Sequence, residues 1–196
     1  ILVVYAVCYS IIAFDTTMSL APTWFSTLWA GWLFSIMMQT LMATLLLAMF
    51  LVRKSVLGEY IGRQQFHDVG KLFHGFTVFF AYLTYAHILT YWYTNIPEET
   101  SWFLLRLKSP WLELIIISPF LTFLLPFIVL IFKASKWTPL VIVPLSIIVI
   151  LAQVMSYYLV VMPEILSLEQ WYVPWIELGV FIGFLGIFIA SILKFA

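Results

Sequence analysis

The residues best placed to do chemistry lie in one stretch, His67 to Thr100, HDVGKLFHGFTVFFAYLTYAHILTYWYTNIPEET, which holds all three histidines of the chain. On a helix, side chains three and four residues apart share a face. His67, Lys71 and His74 therefore form one row, with Asp68 beside Lys71, and Ala81 and Tyr85 continue it. Aspartate, lysine and histidine exchange a proton at modest free-energy difference once burial brings their pKa values together. Ionisable groups within a membrane-length apolar segment are functional candidates by default. Asp68, Lys71 and His74 are thus the inner candidates for proton transfer, against the plainer reading that Lys71 snorkels and Asp68 caps. His87 lies toward the other end, where an imidazole could bind a quinone carbonyl, take a proton, or simply rest on a tyrosine or backbone carbonyl. Asp15, followed by Thr16 and Thr17, is a further proton-transfer candidate between two apolar segments. Glu98, Glu99, Glu113 and Glu177 are outer acidic candidates. Glu98 and Glu99 read otherwise as a capping or surface pair, and Glu113 and Glu177 suit the first turn of a helix, where the dipole favours carboxylates.

Such a row needs a membrane protein around it, and the composition supplies one. Apolar residues make up 64% of the 196 and charged residues 9%, against about a quarter charged in a soluble domain. Nine basic and nine acidic residues balance, which excludes a basic nucleic-acid surface. The single cysteine, Cys8, excludes an internal disulfide and a thiolate cluster. All three histidines fall on one predicted helix, whereas a bundle haem takes its axial histidines from separate helices. The chain opens inside an apolar run, ILVVYAVCYSIIAF, with no basic leader or cleavage motif. That run reads as the end of a transmembrane helix, and the chain as part of a longer protein.

Hydropathy and punctuation predict an all-α membrane fold, one membrane domain over 1–196, with about six spans: 1–14, 22–52, 69–93, 110–132, 138–162 and 173–193. Pro22 is expected in the first turn of the second span, with Trp24, Phe25, Trp29 and Trp32 in an aromatic belt. Gln39 needs a partner inside the protein. SWFLLRLKS after NIPEET suggests a short surface helix with Arg106 and Lys108 among headgroups. Pro119 and Pro126 predict a kinked fourth span, with Ser118 and Thr122 satisfying freed backbone groups. Gly179, Gly183 and Gly186 mark the sixth as a packing helix. Seven of nine basic residues fall on one side, which predicts cytoplasmic loops at Arg53–Arg63 and Lys133–Lys136.

Four stretches carry a resemblance: DTTMSLAPTWFSTLW (15–29), Asp68 to Leu72 with Phe76, YWYTNIPEETSWFLLR (91–106) and WYVPWIELGVFIGFLGIF (171–188). Together they resemble the second NrfD-like, polysulfide-reductase-type membrane subunit of bacterial alternative complex III, a quinol oxidoreductase. The resemblance implies a ten-helix fold with two four-helix bundles, of which this chain is the C-terminal portion, in the bacterial inner (cytoplasmic) membrane. It implies a subunit with no redox cofactor of its own, serving assembly and proton translocation, with Asp15, Asp68 and Lys71 on the proton route. Its partners would be a paralogous NrfD-like subunit, an iron–sulfur protein and multihaem cytochrome c subunits. Haem c and iron–sulfur clusters would sit in those partners, and menaquinol or ubiquinol would be the substrate of the complex. Where related sequences often read Phe-Ser-Gln, this chain has Tyr85-Ala86-His87. Two other readings stand beside this one: a secondary transporter, for which the prolines speak, and a purely structural scaffold.

Overall fold

The structure is a computed structural model that describes residues 2–53, 61–108, 111–165 and 175–195. It is all-α. The helices are α1 (Leu2–Thr16), α2 (Trp29–Val52), α3 (Arg63–Thr94), α4 (Pro97–Arg106), α5 (Trp111–Pro119), α6 (Leu125–Ile131), α7 (Pro139–Ile165) and α8 (Trp175–Phe195). A π-helical turn, Phe120–Leu124, joins α5 to α6, and Met18–Leu20 and Ala134–Lys136 are 3-10 turns. Among the described residues, five segments are long and apolar enough to cross a membrane: Val3–Leu20, Trp29–Val52, Arg63–Thr94, Trp111–Ile131 and Pro139–Ile165. The sixth predicted span coincides with α8, whose described apolar part is the shorter Leu178–Ile187. The Glu177 side chain lies outside the described residues, as do Trp171 and Pro174.

Four spans close a ring: α2 packs on α3 and α7, α6 packs on α3, and α5 packs on α7. The first helix, α1, lies against α2 from outside. Inside the ring the apolar core is split in two. One half holds Trp24, Trp29, Ile36, Phe80 and Val160; the other holds Ala43, Leu46, Phe73, Leu130, Ile142 and Val149. Between them, on α2, α3, the π-turn and α7, sit Gln39, Thr77, Thr122 and Gln153, none more than 1% exposed. With no water to satisfy them there, these groups must satisfy one another.

The prolines explain how. A proline has no N–H, so the carbonyl four residues earlier loses its helical partner. Pro126 frees the Thr122 carbonyl, and Gln39 Nε2 donates to it at 2.8 Å. Gln39 Nε2 also donates to Thr77 Oγ1 at 3.0 Å, and Gln153 Nε2 donates to Gln39 Oε1. The expected kink is thus a π-turn set between Pro119 and Pro126. Thr122 Oγ1 donates to the Ser118 carbonyl at 2.7 Å within it.

Three boundaries differ from expectation. The second helix starts at Trp29 rather than Pro22, because the chain turns tightly through 21–28, with Trp24 N donating to Ala21 O and Trp29 N to Ser26 O. That turn carries Trp24 and Trp29 inward: they are 3% and 2% exposed and belong to the core, not to an interfacial belt. The third helix starts six residues early, at Arg63, where Gly62 N donates to Gln65 Oε1 at 3.0 Å. It stops at Asn95, whose left-handed φ of 48° lets its N–H close on Tyr91 O. Pro97 then opens α4. The seventh helix runs through Pro163 to Ile165 rather than stopping at Met162.

At the end of the ring away from α4, the turn at Lys136 presses on α3 at Gly70. A methyl at Gly70 would stand 2.9 Å from Lys136 Cβ and 3.1 Å from its Cγ. The Cβ moves only with the turn itself, so overpacking results. Gly70→Ala is expected to cost roughly 1–3 kcal/mol, seen as a lowered thermal midpoint in detergent. Gly75→Ala, which meets nothing within 4 Å, is expected to be neutral or stabilising by up to ~1 kcal/mol.

Candidate functional site

The candidate residues fall at the two ends of the ring, and α3 is the element that connects them. Asp68, Lys71 and His74 occupy its first half. Asp68 and Lys71 are ion-paired at 2.8 Å, with about half of each side chain exposed, and His67 Nδ1 stands 3.9 Å from the same carboxylate. An exposed i,i+3 pair contributes little to stability. His74 turns toward α6, its ring stacked on Phe127 with centroids 5.3 Å apart, and its buried Nδ1 has no hydrogen-bond partner. Beside them Trp137 gathers the basic end: Arg63 lies over its ring at 5.0 Å and Lys133 at 5.7 Å. Burial, then the neighbouring Lys71, pushes the Lys136 ammonium below the ordinary lysine range.

Thirteen residues further along α3, ~20 Å at helical rise, His87 is 5% exposed. Its Nδ1 lies 3.1 Å from the Leu83 carbonyl, which can only accept. In the neutral ring Nε2 is therefore an acceptor, and Ser26 Oγ donates to it at 2.8 Å. Trp29 and Trp32 meet the imidazole edge to face, and Tyr91 stacks on it. Trp29 Nε1 donates to Thr17 Oγ1 and Trp32 Nε1 to Thr84 Oγ1.

Above this group, α4 forms a lid. Arg106 was expected among headgroups; it is 1% exposed. The reason is Pro163, which leaves the Leu159 carbonyl without a helical donor. Arg106 Nε donates to that carbonyl at 2.8 Å and Nη2 donates to Val160 O at 2.7 Å. Nη1 serves Trp102 O at 2.8 Å and Glu164 Oε1 at 3.0 Å. The guanidinium lies over the Trp102 ring, Cζ 3.4 Å from its centroid. Burial pushes the Arg106 pKa down to about 10 despite Glu164, still cationic at neutral pH. Lys108, by contrast, is exposed as expected.

Below the lid is a cavity of about 370 Å³. Trp24, Trp29, Trp32 and Phe80 form one wall, and Trp102, Phe103 and Arg106 form the roof. Ile115, Ser118, Pro119, Thr122 and Phe123 face them from α5 and the π-turn, and Ser156, Leu159 and Val160 from α7. Ser156 Oγ donates to Ala152 O at 3.0 Å, so Ser118 is the donor in the 2.9 Å contact between the two serines. His87 lines this cavity. The other outer candidates do not: Asp15 is exposed in the last turn of α1, Glu98 and Glu99 sit in the first turn of α4, and Glu113 is exposed in the first turn of α5.

Sequence reasoning missed two members of this region and one pairing beside it. Arg106 was read as a surface charge, although Pro163 signals a freed carbonyl at Leu159 and Glu164 supplies a carboxylate. Ser26 sat in a segment read as helix. Gln39 was expected to need a partner, but nothing in sequence paired it with Gln153.

The described residues contain no group of three or more His, Cys, Asp or Glu able to hold a metal. The molecule is a multi-pass, all-α membrane protein. Neither protein-family models nor curated proteins give a match to the chain.

Proposed function

We propose that this chain is an integral membrane subunit of a quinol:electron-acceptor oxidoreductase of the alternative complex III type, without a redox cofactor of its own. One observation supports the reading above others. Two of the stretches that carry the resemblance, 15–29 and 91–106, lie far apart in sequence and fold onto one another. Trp24 stacks on Trp102 with centroids 4.6 Å apart, Trp29 meets Trp102 edge to face at 5.6 Å, and Trp24 meets Tyr91 at 6.1 Å. The segments that carry the resemblance thus come together at one place in the fold, as parts of one site would.

In this reading the partners hold the iron–sulfur clusters and haems c, and a paralogous subunit oxidises menaquinol or ubiquinol. The loops with Arg53–Arg63 and Lys133–Lys136 face the cytoplasm of a bacterial inner membrane. Protons pass between Asp68, Lys71 and His74 at that end and His87, Asp15 and the acidic group at the other. The Gln39–Gln153–Thr77–Thr122 layer and the Ser118–Ser156 pair lie between the two ends. Secondary transport is the competing reading, drawn from the helix broken at Pro119 and Pro126 beside a cavity.

Purification of the native protein in mild detergent tests the assignment. Iron–sulfur and multihaem subunits, with their paramagnetic and optical signals, are expected to accompany the chain. A colourless chain that purifies alone would contradict it and favour transport. In the intact complex, Asp68→Asn is expected to lower the protons moved per electron; an unchanged ratio would remove the proton route.

A further inference from the structure

We infer that the basic end of the ring, where Trp137 meets the start of α3, is a headgroup site for a phospholipid carrying two phosphates. The inference needs only the membrane fold and is independent of the redox assignment. Three features select the ligand. The first is uncompensated charge on groups held in place. Arg63 Cζ lies 5.0 Å from the centroid of the Trp137 ring and Lys133 Nζ lies 5.7 Å from it, so one indole gathers two cations. The same ring meets that of His67, centroids 5.6 Å apart. Lys136 stands one residue before it, with its Cβ against Gly70 of α3. The turn that carries Lys136 packs on α3, α6 and α7, so the bundle fixes its place. The acid described at this end, Asp68, is taken by Lys71 at 2.8 Å. Among the described residues, Arg63, Lys133 and Lys136 therefore pair with no carboxylate. Burial and then Lys71 depress the Lys136 ammonium, and a bound anion would relieve that repulsion.

The second is depth. Arg63 opens one span, Arg63–Thr94, and Lys133 and Lys136 lie between two others, Trp111–Ile131 and Pro139–Ile165. The cations thus stand where apolar chain gives way to headgroups, with a tryptophan at that boundary. A lipid phosphate sits at this depth by construction; a soluble anion does not.

The third is the surface beside the cations. Ile128, Ile131 and Phe132 are 50%, 53% and 62% exposed and lead along α6 to Lys133. Positions 128 and 131 share a helix face, so an acyl chain has an apolar track that ends at the cations. Basic pockets between transmembrane helices hold lipid headgroups in this way. A single phosphodiester offsets one cation. Two on one headgroup can engage Arg63 on α3 and the turn at Lys133–Lys136 together.

Photoaffinity labelling of the native protein in mild detergent tests this. The probe is cardiolipin with a diazirine near the carboxyl end of its acyl chains, and labelled peptides are mapped by mass spectrometry. Label is expected in 63–72 and in 128–140. Unlabelled cardiolipin is expected to remove it at a phosphate concentration about fivefold or more below that needed with phosphatidylglycerol, which has one phosphate. Replacing Arg63, Lys133 and Lys136 together by glutamine is expected to lower the label roughly hundredfold, at about fivefold per cation. Arg53→Gln removes an exposed cation outside the Trp137 group and is expected to leave the label within about twofold. If the triple variant fails to reach the membrane, Lys133→Gln in its exposed turn is used, with about fivefold less label expected. Label elsewhere only, no label, or label unchanged in these variants would overturn the inference. Equal competition by phosphatidylglycerol, or an equal loss with Arg53→Gln, would reduce the site to diffuse charge and overturn it too. Removal of the label by pyrophosphate as readily as by cardiolipin would make the ligand a soluble anion and contradict the lipid.

Discussion

Replacing Arg106 with methionine is expected to cost about 3–5 kcal/mol, the usual penalty for removing one member of a buried ion pair. The methionine keeps most of the volume and loses every donor. Leu159 O, deprived of its i+4 donor by Pro163, loses a bond of 2.8 Å, and Val160 O loses one of 2.7 Å. Glu164, whose side chain is 17% exposed, is left without its cation. The stacking on Trp102 goes too, so the α4 lid loses its hold on α7. Arg106→Lys keeps the charge but not the planar fork that reaches three carbonyls and a carboxylate at once, and an intermediate loss is expected. Glu164→Gln is expected to cost less, roughly 1–2 kcal/mol, because the carbonyl bonds survive. Thermal midpoints of the purified variants, read as loss of the monodisperse fraction in detergent, check the order. Equal midpoints for Arg106→Met and the parent would remove the lid from the account.

Gln39→Leu is the second large effect. It deletes three hydrogen bonds in the polar layer between the two halves of the core. In membranes such bonds average about 0.6 kcal/mol and reach ~1.7, which sums to roughly 2–5 kcal/mol. The upper half of that range is expected here because Pro126 gives Thr122 O no i+4 donor to return to. Gln153 Oε1 already lacks a partner, so losing Gln39 strands the whole amide. Gln39→Leu with Gln153→Leu is therefore expected to be less damaging than the sum of the single changes, since removing both partners leaves fewer orphaned groups. Additive losses would show that the two glutamines do not act as a pair.

Much of the fold was legible because lipid narrows the choices. Only helices satisfy their own backbone across a bilayer, so long apolar runs gave α2, α3, the α5–α6 span and α7 nearly in place. The Asn95-Ile96-Pro97 break was readable as the end of the third span, but the short helix after it starts at Pro97 and not at Ser101. Distance in sequence hid the rest. Pro126 announces a freed carbonyl, but not that Gln39, far away on α2, will donate to it. Pro163 does the same for Arg106. The turn at 21–28 misled because Pro22 and the tryptophans fit a helix start equally well, and only packing against Trp102 and Tyr91 draws them inward. At the candidate site, His87 was legible as a residue of interest, yet its partner Ser26 was not. The Asp68–Lys71 pair followed from helical spacing, while its exposure depends on which face of α3 the neighbouring helices leave open.

The most direct measurement is the initial rate of quinol oxidation in membranes of cells that lack this chain, before and after it is restored. If it is a working subunit of a quinol oxidoreductase, the rate assigned to that complex is lost with the chain and returns with it. The chain carrying Arg106→Met is expected to restore less of that rate. A rate unchanged by removing the chain, with the same haem and iron–sulfur signals, would contradict the account.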